Sequence, residues 1–167
     1  MLEGGFVGAC AVAIAYPAPM RRFQTDDARL LEFPPARVFR CLADFEDYNR
    51  WWPRDVRFRV VQLIPALIGT KLEVLVAKRS FYAEVVKFEE QKSLHWVYRS
   101  GFYKGQGTWT LEEIDGHTRL RYVSDLPVHP SLIAEHFLNA KDFAARHARV
   151  LNKAFSGFEK RLEEIRS

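Results

Sequence analysis

His147 is the residue of this 167-residue chain best placed to do chemistry. An imidazole titrates near neutrality and can bind, or exchange a proton with, an oxygen on a buried molecule. Tyr98 alternates into register with Trp96, and Tyr122 with Leu120 and Ser124, so each tyrosine shares a strand face with those neighbours. An inward tyrosine offers an apolar ring tipped with one donor and acceptor, which suits a ligand carbonyl or hydroxyl and equally suits a hydrogen-bonded core. A histidine and a tyrosine converging on one oxygen could anchor a ligand. They could also transfer protons, with His147 as base and Tyr122 or Tyr98 polarising a carbonyl. A third reading leaves His147 hydrogen-bonded to a neighbouring tyrosine or backbone carbonyl, with no ligand at all.

Other chemistries lack their residues. His136 shares nearly the same helical face as His147 but stands about 16 Å away along a continuous helix, and His95, His117 and His129 have no ligand spacing. With no His-Glu-x-x-His and no Cys-x-x-Cys, no metal is expected. No glycine-rich dinucleotide fingerprint, phosphate loop or Gly-x-Ser-x-Gly elbow occurs, so no cofactor is expected either. Cys10 and Cys41 are the two cysteines, which gives no disulfide framework and fits a reduced cytoplasmic setting. The net charge is +4, but the basic residues are spread out rather than blocked, so no nucleic-acid partner is expected.

With 48% apolar, 14% aromatic and 28% charged residues the chain belongs among ordinary folded proteins, and its length suits one domain. The apolar run over 6–16 is too short for a membrane span of about 20 residues. Ala13-Ile14-Ala15 mimics a signal cleavage site, yet the only charge before the run is Glu3, where a signal peptide carries positive charge. Residues 1–19 are therefore expected to be an unstructured leader or to precede the true start at Met20, with a signal peptide as the alternative. The single domain is expected over 20–167.

The chemical groups need elements to hold them. Over 143–165, Phe143, His147, Val150, Leu151, Ala154, Phe155, Phe158, Leu162 and Ile165 fall within one helical stripe roughly 140° wide. The other side carries Arg146, Arg149, Lys153, Lys160 and Glu164, so this helix covers an apolar surface and turns its back to water. The helical pattern begins at Ser131. Unbroken, it would reach about 54 Å, so a break is expected near Leu138-Asn139, with Asp142 capping the final segment.

Upstream, Leu30-Leu31-Glu32-Phe33 reads as the end of a strand. Pro35 opens a short helix over 35–45 with Val38, Phe39, Leu42 and Phe45 on one face, and a second helical turn over 47–52 is stopped by Pro53. The period then changes to two. Strands are expected over 55–63, 71–77, 81–88, 93–100, 102–112 and 118–125, punctuated by Gly69, Gln91-Lys92 and Gly101, with Asp115-Gly116 as a two-residue hairpin. Consecutive strands without intervening helices make an antiparallel meander and exclude a parallel α/β sheet. Glu84 and Glu89 read as solvated strand positions.

Three motifs in this order resemble a known family. Pro35-x-x-Val38-Phe39-x-x-Leu42-x-Asp44-Phe45-x-x-Tyr48-x-x-Trp51-x-Pro53 is similar to the opening of the SRPBCC superfamily, which includes START lipid-transfer domains, plant allergen-like ligand binders and aromatic polyketide cyclases. Gly105-Gln106-Gly107-Thr108-Trp109-Thr110-Leu111, then Asp115-Gly116-x-Thr118-Arg119-Leu120-x-Tyr122, resembles its sixth and seventh strands. His147 followed by Gly157-Phe158-x-x-x-Leu162 resembles the last helix of a bacterial polyketide cyclase/dehydrase-like branch. The resemblance covers residues 26–165. It implies an α+β helix-grip fold: a curved antiparallel sheet of about seven strands wrapped around a long C-terminal helix, with two short helices after the first strand. It also implies a cavity between sheet and helix for a hydrophobic ligand, and no single reaction.

In such a fold the residues expected to contact a ligand are Trp52, Phe58, Leu72, Val74, Trp96 and Tyr98, together with Gly107, Trp109, Tyr122, Phe143, His147 and Leu151. Of the adjacent pair Trp51 and Trp52, one should pack under the sheet edge and the other stand at the cavity mouth. Gly107 either lets the sheet bend or leaves volume empty. The first expectation for function is binding of a hydrophobic or amphipathic small molecule, a lipid, isoprenoid or polyketide-like aromatic, with Tyr98, Tyr122 and His147 as polar anchors. The second is a cofactor-independent cyclase or dehydratase with His147 as base and Tyr122 or Tyr98 as the polarising donor. The third is an interaction protein, like the quinone-binding or ribosome-associated relatives, using the basic back of the last helix.

Overall fold

The computed structural model describes residues 21–76, 78–101, 104–128 and 140–165. The expectations for the leader over 1–19, Cys10, Phe102, His129, Ser131, His136 and the helix break near 138–139 lie outside them. The described chain runs β1 (Arg21–Leu31), α1 (Pro35–Ala43), a 3-10 turn (Phe45–Asp47) and α2 (Tyr48–Trp51). Strands β2 (Val56–Gln62), β3 (Lys71–Val76), β4 (Arg79–Glu89), β5 (Ser93–Gly101), β6 (Gly105–Ile114) and β7 (His117–Val128) follow, and the helix α3 (Ala140–Glu164) comes last.

All seven strands form one curved antiparallel sheet in the order β1-β7-β6-β5-β4-β3-β2. Strands β2 to β7 are the meander read from alternation, and β1 closes the row beside β7, with Arg22 opposite Pro127 and Leu30 opposite Arg119. Asp115 and Gly116, at φ of 51° and 81°, make the tight β6–β7 connection in the backbone region that suits the twist of a hairpin. This is the helix-grip fold. Strand β6 begins at Gly105, later than the alternation over 102–112 proposes.

The pleat sorts the side chains. Inward positions carry Leu72 and Val74 on β3, Ala83 and Val85 on β4, Leu94 and Trp96 on β5, Trp109 and Leu111 on β6, and Leu120 and Tyr122 on β7, all buried. Outward positions carry cross-strand ion pairs: Arg59 with Glu73, Arg99 with Glu84, and Arg121 with Asp26. Helix α1 starts on Pro35 at its first position and buries Val38, Phe39, Cys41 and Leu42 against the sheet.

Helix α3 does two different things along its length. Its C-terminal half is clamped: Phe158 packs edge-on against Trp51 at 4.8 Å, Arg161 forks onto the Asp47 carboxylate at 2.7 and 3.1 Å, and Arg37 donates to the Leu162 carbonyl at 2.7 Å. Gly157 lies against the backbone of Trp51, where a Cβ would stand 2.0 Å from the carbonyl oxygen. Ile165, placed on the apolar stripe by periodicity, is 45% exposed, because the stripe outlasts the surface beneath it. Asp142 lies inside the first turn of α3 and not at its cap. The N-terminal half instead spans open space above the sheet.

Candidate functional site

That space is a cavity of about 470 Å³. Its floor is the inner face of the sheet: Phe58 from β2, Leu72, Val74 and Val76 from β3, Phe81 and Ala83 from β4, Trp96 and Tyr98 from β5, Trp109 from β6, and Tyr122 and Leu126 from β7. Phe143, His147, Val150 and Leu151 of α3 form its roof, and Tyr48, Trp52 and Val56 close one side. The chamber exists because α3 is seated through its far half, where large side chains fill the interface, while the sheet continues to curve beneath the near half. Of the twelve ligand-contact residues expected from the sequence, all line the chamber except Gly107.

Gly107 does something more specific than lining. A Cβ there would lie 2.3 Å from the Tyr122 hydroxyl and 2.7 Å from that of Tyr98. The two hydroxyls meet above the missing side chain at 2.5 Å, a hydrogen bond across β6 from strands on either side of it. The empty volume anticipated at this glycine is thus filled by the paired tyrosine tips. Burial raises the Tyr98 pKa, so the phenol keeps its proton and stays a donor. Trp109 packs against Tyr122, with ring centroids 4.5 Å apart and planes tilted at 44°, which helps to hold the tyrosine ring. Gly107→Ala is expected to drive the hydroxyls apart and to cost about 1–3 kcal/mol of stability, as overpacking does. Thermal melting reads this; an unchanged melting temperature would mean the hydroxyls move aside freely.

His147 is half-buried, its ring 6.2 Å from that of Phe143 and roughly parallel to it. Its Nδ1 is buried with no hydrogen-bond partner among the described residues. Burial lowers its pKa to about 4, so the ring is neutral at pH 7. With no acceptor at Nδ1, the proton of the neutral ring is best placed on Nε2. Trp51 and Trp52 divide: Trp51, the last residue of α2, is buried on Tyr48 and Phe158, while Trp52, the extended residue that ends the helix, is half-buried and lines the chamber. Tyr48 spends its hydroxyl on the Leu42 carbonyl at 2.7 Å, which leaves its ring as chamber wall.

Four charged residues among the described ones also line the chamber, Asp55 from the loop before β2 and Arg146, Arg149 and Lys153 from α3. All four are exposed, so the chamber reaches the surface between that loop and the helix. The sequence placed these three cations on the water-facing side of the helix, and they are exposed; the structure adds that they line the opening of the chamber. The wall residues Val56, Val76, Phe81, Ala83 and Leu126 were also missed. Each holds an inward register position, and following the alternation to the strand ends would have found them.

Elsewhere the described residues offer little chemistry. They contain no cluster of three metal-ligating side chains. The Cys41 thiol is buried and its pKa is pushed up to about 12, which makes it a poor nucleophile. No helix among the described residues is long and apolar enough to cross a membrane.

Comparison with solved structures finds the same fold at low identity. A START superfamily protein from Mycobacterium smegmatis is 14% identical with a TM-score of 0.69, covering 85% of this chain and 98% of that one. An aromatase/cyclase, Zhui, from a Streptomyces species is 12% identical with a TM-score of 0.68, covering 86% and 94%. A protein from Thermus thermophilus is 19% identical with a TM-score of 0.68, covering 86% and 99%. A search of curated protein sequences finds no match. The family model described as polyketide cyclase/dehydrase and lipid transport matches residues 22–163. With nearly the whole described fold inside that match, the chain belongs to the polyketide cyclase/dehydrase and lipid transport family.

Proposed function

We propose that this protein holds a hydrophobic or amphipathic small molecule, such as a lipid, an isoprenoid or a polyketide-like aromatic, in the chamber between its sheet and α3. The observation that carries the reading is the chamber of about 470 Å³, walled by aliphatic and aromatic side chains with a few convergent polar tips. In this reading Trp52, Phe58, Leu72, Val74, Trp96, Trp109, Phe143 and Leu151 contact the ligand body, with Tyr98, Tyr122 and His147 as its polar anchors. Gly107 contributes by making room for the tyrosine pair. The family's scope, which spans lipid transport, supports the same class of ligand. A cytoplasmic setting fits a chain with two cysteines and no disulfide framework.

The enzymatic alternative is a cofactor-independent cyclase or dehydratase with His147 as base and Tyr122 or Tyr98 polarising a carbonyl. The site gives it less support. A general base works best with a pKa near the operating pH, and an imidazole held at about 4 binds a proton weakly at pH 7. The same neutral ring is well suited to a single directed hydrogen bond with a ligand oxygen.

A homologous series of straight-chain alcohols, followed by displacement of the neutral dye Nile red, tests the binding reading. Each buried methylene contributes about 0.8 kcal/mol, so affinity should climb roughly fourfold per added carbon and level off once the chamber is full. Saturation at one molecule per chain is expected. Binding that is unsaturable, or indifferent to chain length, would overturn the reading.

A further inference from the structure

The chamber is chemically lopsided. The polar side chains that the described residues place inside it are neutral at pH 7: the Tyr98–Tyr122 pair, the Trp52 indole and the His147 imidazole, which burial holds below the ordinary histidine range. Among the described residues no cation in the interior can balance an ionised ligand group, and an unpaired charge buried there is strongly disfavoured. At the lip the opposite holds. Arg146, Arg149 and Lys153 line the opening along one side of α3, and Asp55 is the one carboxylate among the described residues that line it.

The three cations stand at spacings that place like charges side by side on a helix: Arg146 and Arg149 one turn apart, Arg149 and Lys153 the next. Arg149 and Lys153 make no ion pair among the described residues; Arg149 donates only to the Ala145 carbonyl of its own helix, at 3.3 Å. Some exposed arginines of the sheet are matched across it, as Arg59 is by Glu73 and Arg99 by Glu84. A helix that sets Arg149 and Lys153, without ion-pair partners among the described residues, along the edge of an apolar chamber is complementary to a molecule that brings a negative charge to that edge.

We infer that the ligand is an amphiphile with one terminal anionic head, a carboxylate or a phosphate monoester, bound tail-inward with the head at Arg149 and Lys153. The inference rests on the chamber being a ligand site. Within that frame it fixes two things the chamber alone leaves open: the sign of the head group and the direction in which the molecule enters. A cationic head would meet like charge at this edge, and a neutral head would leave Arg149 and Lys153 without an ion-pair partner.

Dodecanoate, dodecyl phosphate, dodecanol and dodecylammonium test it, each below its micelle concentration, by displacement of Nile red from the full chain. The anions should bind at least about tenfold more tightly than dodecanol, a difference of one decade in dissociation constant, and dodecylammonium should be the weakest of the four. Added salt should narrow the gap between anion and alcohol, since the lip is exposed. In the double variant Arg149→Gln, Lys153→Gln the ratio of the two constants should fall towards one, with circular dichroism confirming that the variant is folded. Preference for dodecanoate over dodecyl phosphate, or the reverse, identifies which anionic head the lip takes, and both support the inference. Dodecanol binding as tightly as the anions, or an anion preference that survives the double variant intact, would overturn it while leaving a hydrophobic chamber in place. No binding of any of the four by the folded wild type would overturn the ligand-site reading and the inference with it.

Discussion

Replacing Gly157 by alanine lowers the melting temperature by roughly 5–10 °C, the equivalent of about 2–3 kcal/mol for a chain of this size. By intrinsic propensity alone the change should help, since alanine is about 1 kcal/mol better than glycine inside a helix. Position decides otherwise. The added Cβ would stand 2.0 Å from the Trp51 carbonyl oxygen and 3.0 Å from its carbon, and both are backbone atoms that cannot rotate away. Helix α3 must lift from α2, which also strains the Arg161–Asp47 fork and the Phe158–Trp51 contact. Because Trp52 follows Trp51 directly and lines the chamber, weaker ligand binding should accompany the loss of stability. Differential scanning calorimetry of the variant checks the prediction. A melting temperature at or above that of the wild type would mean that α3 is not seated through this contact.

Acid weakens the fold through His147. Its folded pKa of about 4 lies below the ordinary imidazole value of about 6.5, so between these values the unfolded chain binds the proton and the folded chain does not. Stability therefore rises with pH across that window. The contribution is complete above about pH 6.5 and is lost progressively as the pH falls towards 4, amounting to up to about 3 kcal/mol. Carboxylates whose pKa values are held down by arginine partners, such as Asp26 and Asp125, act in the same direction at more acidic pH. The comparison with His147→Phe isolates the imidazole. In urea unfolding at a series of pH values, wild type and variant should diverge between pH 7 and 4, with the wild type losing more. Parallel curves would show that the ring is not desolvated in the folded state.

How much of this was legible beforehand follows from which forces are local. Strand alternation and helical periodicity are set by whether each residue faces water, so the meander, the short helices after β1 and the stripe on α3 could be read residue by residue. The tyrosine pair could be read only halfway. Alternation turned Tyr98 and Tyr122 inward, but their meeting over Gly107 depends on the register of β5, β6 and β7, a relation between strands that periodicity does not contain. The same limit applies to Gly157, whose neighbour Trp51 is distant in sequence. The lip cations were read as facing water, and they are exposed; their place at the opening was not legible for a different reason. A stripe drawn at fixed width assigns its flanks to water, whereas a helix whose near half roofs a chamber leaves its flanking residues at the opening. Ile165 fails in the opposite sense, since periodicity continues where the packing surface has already ended.

The central claim is that the space between sheet and α3 is a ligand chamber. Native mass spectrometry of the protein purified from its own host, wild type beside Ala83→Phe, tests it most directly. Ala83 lies on the chamber floor at 4% exposure, and phenylalanine there fills the space a ligand would use. The account predicts a wild-type mass carrying one small molecule that is released on denaturation, and a bare, folded Ala83→Phe. A bare wild-type chain, or the same adduct on both proteins, would contradict it.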